Sequence, residues 1–309
     1  MKRVLVTGAR GFIGGRCLPR LVSAGYDVHA VTRGPVPESK KYMTWHQVDL
    51  FDTPAVFSLL REVSPSHLLH LAWITQPGQY WTSTQNLRWL AASLEMLYAF
   101  NEIRGSRVVA AGTCAEYDWK HGECSETTTP LVPESLYGAC KLALSRLLEA
   151  FSAQTGVSSA WGRVFFPYGP GEPPAKLVSS VAKSLLAGQP ASCSAGEQKR
   201  DFLHVEDVAG AFVALLESGV CGAVNIASGQ ATPVKQVVGT IGDLLGRREL
   251  VRLGELPSTT EAPVVVADID RLVGEVGWHN SVSLESGLRD TIAFWQEQRQ
   301  HAQTKKDPS

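Results

Sequence analysis

Lys2-Arg3-Val4-Leu5-Val6-Thr7-Gly8-Ala9-Arg10-Gly11-Phe12-Ile13-Gly14 joins an apolar run to a glycine-rich turn. The run up to Thr7 has the β-branched and leucine character of a strand buried on both faces. Three evenly spaced glycines follow, and an apolar-periodic stretch begins behind them. This order predicts strand, tight turn and helix, a unit whose backbone N–H groups suit a pyrophosphate. Gly8 allows the sharp turn, Gly11 the close approach of phosphates, and Gly14 close packing of helix on strand. The spacing is G-x-x-G-x-x-G, not G-x-G-x-x-G, so the glycines by themselves fit a dinucleotide cradle or a plain turn. Later motifs decide between the two.

Working outward, strand-like and helix-like segments alternate through the first half. Strands are predicted near 2–7, 26–32, 66–72, 106–111 and 157–163, with helices near 12–24, 53–63, 84–103 and 135–154. Alternation of this kind predicts an α/β fold, a Rossmann-type doubly wound parallel sheet covered on both faces. Pro167-Tyr168-Gly169-Pro170-Gly171-Glu172-Pro173-Pro174 suits neither a helix nor a central strand and marks a domain edge. Helices are then predicted near 175–187, 205–217, 233–246 and 283–298. The expected organisation is a nucleotide-binding domain over 1–165, with returns near 203–226, and a smaller mixed C-terminal substrate domain over 166–202 and 227–300. The polar segment 301–309 is expected to be disordered.

Bulk properties limit the function classes. The 309 residues are 44% hydrophobic and 19% charged, with a net charge of -1, as in ordinary globular proteins. Such a balance gives no electrostatic reason to expect nucleic acid or an anionic membrane as partner. A small-molecule substrate is expected instead. The apolar run after Lys2 and Arg3 is too short for a secretory leader, and no stretch has the roughly 20 apolar residues of a membrane helix. The six cysteines, Cys17, Cys114, Cys124, Cys140, Cys193 and Cys221, show no C-x-x-C spacing, so no metal site is expected. A cytoplasmic location with reduced thiols is the expectation.

Tyr137-Gly138-Ala139-Cys140-Lys141 places a phenol and an amine four residues apart, on one helix face. A phenol with its ordinary pKa of about 10 is a poor acid–base catalyst, and a nearby ammonium favours the phenolate. The strand Arg107-Val108-Val109-Ala110-Ala111 ends at Gly112-Thr113, which puts the Thr113 hydroxyl at the carboxyl edge of the sheet. Ligands bind at that edge in open α/β sheets. Thr113 there reads as a partner of Tyr137 on a substrate oxygen or as a cap of the strand end.

The glycine turn, Thr113, Tyr137 and Lys141, in this order and on this strand pattern, resemble the extended short-chain dehydrogenase/reductase family. Val48-Asp49-Leu50 resembles its adenine segment and His70-Leu71-Ala72-Trp73 the segment lining the cofactor. Asn86 opens a helix as in that family. Arg200-Asp201-Phe202-Leu203-His204-Val205-Glu206-Asp207, Asn225-Ile226-Ala227-Ser228-Gly229 and Gly277-Trp278 also match. The group it looks most like is the NAD(P)-dependent sugar-nucleotide epimerases, dehydratases and 4-keto reductases. The resemblance implies that Tyr137 exchanges the proton of a sugar hydroxyl or ketone and that Thr113 orients the reacting oxygen. It implies that Lys141 lowers the phenol pKa and holds the nicotinamide ribose. Cofactor contacts are implied for Gly8, Gly11, Phe12, Ile13 and Gly14, for Asp49 and Leu50, and for Leu71, Ala72 and Trp73. Asn86, Tyr137, Lys141 and Phe165 are implied contacts as well. In the second domain Arg200 would bind nucleotide phosphate, where guanidinium geometry suits it.

Three departures refine the expectation. Thr32 stands where NAD-type members carry Asp after the second strand, and Arg33 follows, so NADP(H) is expected in preference to NAD(H). Thr113-Cys114-Ala115 replaces the Thr-Asp-Glu of the 4,6-dehydratases. Ala115 takes no proton, and Glu116 is one position late and should point elsewhere. Phe166, after Arg163-Val164-Phe165, stands where an Asn often contacts the substrate diphosphate, and no second phosphate-binding Arg is found near 259–263. The leading expectation is an NADPH-dependent reductase of a 4-keto(-6-deoxy) sugar nucleotide with Tyr137 as proton donor. An epimerase without net redox change and a non-catalytic dinucleotide-sensing protein are the alternatives. The stripes Leu87, Leu90, Leu94, Leu97 and Leu142, Ala143, Leu147, Leu148 fit a homodimer contact or a core face.

Overall fold

Strand β1 (Arg3–Thr7) runs through the interior of a parallel sheet, and its Val4, Leu5 and Val6 are buried on both faces. The computed structural model describes residues 2–257 and 262–304. After β1 come α1 (Gly14–Ser23), β2 (Asp27–Thr32), β3 (Met43–Gln47), α2 (Thr53–Val63), β4 (His67–His70), α3 (Gln85–Glu102) and β5 (Arg107–Thr113). The middle of the chain supplies β6 (Glu123–Cys124), α4 (Leu136–Thr155), β7 (Ser158–Val164), β8 (Phe166–Tyr168), α5 (Leu177–Leu186), β9 (Ala191–Cys193), β10 (Lys199–His204) and α6 (Val205–Glu217). The rest gives β11 (Gly222–Ile226), β12 (Ala231–Pro233), α7 (Val234–Leu244), β13 (Val251–Leu253), β14 (Val264–Ala267) and α8 (Leu284–Thr304).

Seven strands pair in the order β3-β2-β1-β4-β5-β7-β11, all parallel. Helices α1 and α6 cover one face, where Leu18, Leu21, Phe212, Leu215 and Leu216 meet the strands. Helices α2, α3 and α4 cover the other with Leu59, Leu60, Met96, Phe100, Leu144 and Leu148. The direction of winding reverses between β1 and β4, and in such sheets a crevice opens at the carboxyl ends beside that point.

A smaller mixed sheet, β12-β10-β14-β6 with β8 alongside β10, carries antiparallel and parallel pairs. Its central carboxylate is Asp201. One oxygen accepts the Ser228 N–H and hydroxyl at 2.7 and 2.6 Å, the other the N–H groups of Gly229 and Ala267 at 2.9 and 3.1 Å. A fully buried carboxylate with four donors ties the Arg200–Asp207 segment to both flanking strands.

Several expectations shift. Strand β3 went unread because it is an edge strand with half-exposed side chains and no alternation. β6 lies within the first 165 residues yet pairs with β14 of the small sheet. Residues 301–304, expected in a disordered tail, continue α8, which ends at Thr304. Residues 305–309 and 259–261, for which expectations were given above, lie outside the described residues.

Candidate active site

Gly8 turns the chain out of β1 with φ +68°, and its carbonyl accepts the Gly11 N–H at 2.8 Å. A side chain on Gly14 would sit 2.2 Å from that same carbonyl, so only glycine lets α1 start this close to the turn. From here a cleft of about 920 Å³ runs along the carboxyl edge of the sheet. Gly8, Gly11, Phe12, Ile13, Gly14, Thr32, Arg33, Asp49, Leu50, Leu71, Ala72 and Trp73 line one arm. Thr113, Tyr137, Lys141, Phe165, Phe166 and Arg200 line its centre and far side. Of the residues expected at the site, Asn86 alone stays out of the wall.

Asn86 is fully buried, accepts the Trp73 Nε1–H at 2.8 Å, and donates to the carbonyls of Tyr80 and Ser83 at 2.7 and 2.8 Å. Its polar atoms are spent on the loop before α3, so the expected cofactor contact becomes an internal latch.

The three catalytic candidates converge because α4 docks tightly against the turn after β5. Ser135 caps the helix by accepting the Gly138 N–H at 3.1 Å. A side chain on Gly138 would meet the Ala115 carbonyl at 2.4 Å, so this glycine brings Tyr137 up to Thr113. Thr113 closes β5 and lines the cleft beside Tyr137 while its hydroxyl accepts the Ala115 N–H at 3.2 Å, so it is strand-end cap and cleft residue together.

The electrostatics differ from the expectation. Lys141 does not act on the phenol in the chain by itself. Its Nζ donates to the Ala111 carbonyl at 2.8 Å, and burial draws its pKa down to about 7, with Glu116 acting the other way. Burial pushes the Tyr137 phenol up instead, and only the Thr113 hydrogen bond opposes it. The chain alone therefore keeps the hydroxyl protonated, because a desolvated site disfavours the phenolate.

Glu116 points away from the cleft, as its late position implied. Its carboxylate is fully buried and accepts the Thr113 N–H at 2.9 Å, the Trp161 Nε1–H at 2.9 and 3.1 Å and the Arg163 Nε–H at 2.8 Å. It fixes the backbone of Thr113 from behind. Cys114 is buried and its thiol is pushed up by desolvation, which leaves it a small neutral neighbour.

At the end of the cleft beside β2, Thr32 accepts the Gly34 N–H at 3.1 Å and shapes the turn after that strand. Sequence reasoning missed Arg10 in the glycine turn. Its Nη1 donates to the Pro35 carbonyl at 2.9 Å, which places a second guanidinium beside the turn that carries Arg33. A cation at an unassigned glycine-turn position, aimed at the end of β2, was the available signal.

At the far end Arg200 donates to the carbonyls of Lys199 and Ala262, both at 2.9 Å, and lies over the Phe166 and Trp119 rings at 5.6 and 6.0 Å. Tyr80 and Trp81, also missed, stand edge-on to Tyr137 at 4.9 and 5.7 Å between centroids. Their loop lacks any periodic pattern, and the Tyr137 N–H donates to the Trp81 carbonyl at 3.1 Å. Among the described residues no group of three or more His, Cys, Asp or Glu side chains is arranged to hold a metal ion.

Known proteins resemble this chain over nearly its full length. The chain is 29% identical over 319 residues to a UDP-glucose epimerase of Bacillus subtilis, YtcB, itself uncharacterised, covering 94% of this chain and 97% of the relative. It is 24% identical to a dTDP-4-dehydro-6-deoxyglucose reductase of Escherichia coli, over 94% of this chain and 96% of that one. Among solved structures, MoeE5 in complex with UDP-glucuronic acid and NAD superposes with a TM-score of 0.84 at 31% identity, covering 96% and 99% of the two chains. The model of the NAD dependent epimerase/dehydratase family matches residues 4–227, and the chain is an enzyme that belongs to this family.

Proposed function

We propose that the chain reduces a 4-keto(-6-deoxy) sugar carried on a nucleotide, with NADPH as reductant. Bound in the cleft, the cofactor supplies the hydride. Tyr137 gives its hydroxyl proton to the alkoxide that forms, Thr113 orients the reacting oxygen, and Lys141 holds the nicotinamide ribose. What supports this reading is geometric: Thr113, Tyr137 and Lys141 line one cleft at the carboxyl edge of the sheet, and Arg10 and Arg33 line its other arm. Net reduction needs a proton donor beside the reacting oxygen, and the Tyr137 hydroxyl would supply it. Ala115 offers no acid or base for dehydration.

The cofactor preference rests on Arg10 and Arg33, two guanidiniums at the turn after β2 with Thr32 in place of a carboxylate. Fork-shaped cations suit a 2′-phosphate, and a carboxylate there would repel it. MoeE5 holds NAD, so in this proposal the present chain differs from that relative in cofactor preference. An epimerase without net redox change is the second reading, favoured by the near full-length similarity to the Bacillus subtilis UDP-glucose epimerase. A purely sensing protein has no use for Thr113, Tyr137 and Lys141 together.

Arg200 is the phosphate-binding candidate of the substrate arm, and Phe166 beside it supplies an apolar wall. We propose further that the enzyme is cytoplasmic and works as a homodimer through α3 and α4. Leu97 and Leu148 of those helices are buried core residues, but Leu87, Tyr98 and Leu147 remain exposed. Sedimentation at micromolar concentration should give twice the chain mass, and a monomer would end the dimer proposal.

With a panel of 4-keto sugar nucleotides and NADPH, the chain should oxidise NADPH in proportion to sugar reduced. Tyr137→Phe should lower that turnover by about 10³-fold and leave cofactor affinity nearly unchanged. Unchanged turnover in the variant removes the proton-donor role, and turnover without added NADPH favours the epimerase. Arg10→Ala and Arg33→Ala should each raise the KM for NADPH by about tenfold, as for a lost charge-assisted bond, and leave that for NADH alone. A native preference for NADH contradicts the cofactor assignment.

A further inference from the structure

The Lys141 amine lies against two indole rings. Its Nζ is 3.9 Å from the ring centroid of Trp73 and 5.8 Å from that of Trp161. Neither ring is free to turn away. Trp73 is pinned by its Nε1–H on the buried Asn86 oxygen at 2.8 Å, and Trp161 by its Nε1–H on Glu116 at 2.9 Å. The two anchors lie on different elements, α3 and the turn after β5, yet both present a π face to one nitrogen. The third contact is the Ala111 carbonyl at 2.8 Å.

We propose that Trp73 and Trp161 form an anchored two-indole cradle that keeps the Lys141 ammonium charged and in place, which makes Trp73 a positioning residue. The need for such a device follows from burial. Lys141 is 4% exposed, and an ammonium in a dry site tends to lose its proton. The titratable and charged groups that face it leave this need unmet. Glu116 favours the charge but is itself bonded to Arg163 at 2.8 Å. His70 on β4 has Thr7 and Ser93 on its two ring nitrogens at 2.7 and 2.9 Å and is drawn down to about 3, so it stays neutral. Tyr137 and Cys140 on its own helix are pushed up and stay neutral as well. The ring quadrupoles of the indoles supply attraction to the cation without a counter-charge, and they do so most strongly where water is absent.

The inference rests on the reading of Lys141 as a working residue, but its test needs no turnover. In the full chain labelled with ¹³C-lysine, the Lys141 Cε signal is identified by its loss in Lys141→Met and titrated by NMR. Trp73→Leu keeps the site apolar and removes the π face, so the proton should leave at lower pH, with the midpoint down by about one pH unit, a tenfold change in the equilibrium. Trp73→Phe, which keeps a ring and is the milder change for folding, should give a midpoint between the two. A midpoint that is unchanged or raised in Trp73→Leu, or in Trp73→Phe if the leucine variant does not fold, overturns the cradle. Activity lost in Tyr137→Phe with the cradle absent, or the reverse, separates this inference from the catalytic proposal.

Discussion

Dehydration of three polar side chains at the carboxyl edge of the sheet is the constraint from which the rest follows. Tyr137, Lys141 and Thr113 are each less than a tenth exposed although all three line the cleft. A desolvated phenol holds its proton and a desolvated ammonium sheds it, so the site needs fixed partners to keep both in working form. The partners are arranged in a second layer. Glu116 takes N–H groups from Thr113, Trp161 and Arg163, and Arg163 Nη1 donates to the Tyr117 hydroxyl at 2.9 Å, which donates to Asn225 at 2.8 Å. A buried network of this kind is stable only when every member is satisfied, and here it joins β5, β7 and β11 beneath the reacting groups.

How much of this was legible follows from what each residue must do locally. The glycine turn was readable because Gly8 and Gly14 answer to backbone sterics, which act within seven positions of sequence. The long helices α3 and α4 and the buried strands were readable from apolar period and length. Tyr137 and Lys141 were readable because one helix face carries both. The inward role of Asn86 was not readable, since its partners Trp73 and Tyr80 come together only in the fold. The direction of the phenol shift was misread for the same reason: the four-residue spacing gives proximity along the helix, but Lys141 turns to Ala111 and the burial of Tyr137 decides. The short strands of the small sheet, several of two or three residues, are held by Asp201 rather than by any pattern of their own.

The two arms of the cleft present different chemistry. One arm is cationic, with Arg10 and Arg33 at the turn after β2, which in the proposed reading selects the cofactor by charge. The other arm is aromatic, with Tyr80, Trp81, Trp119 and Phe166 lining the cleft and Arg200 over the Phe166 ring, which in the proposed reading selects the substrate by shape. Aromatic walls of this kind suit the apolar face of a sugar ring.

A crystal structure of the chain with NADP⁺ bound tests the central claim most directly. The account places the nicotinamide ring beside the Tyr137 hydroxyl, a ribose hydroxyl about 3 Å from the Lys141 amine, and the 2′-phosphate between Arg10 and Arg33. A ring lying away from Tyr137, with the amine still bonded only to Ala111, would contradict it.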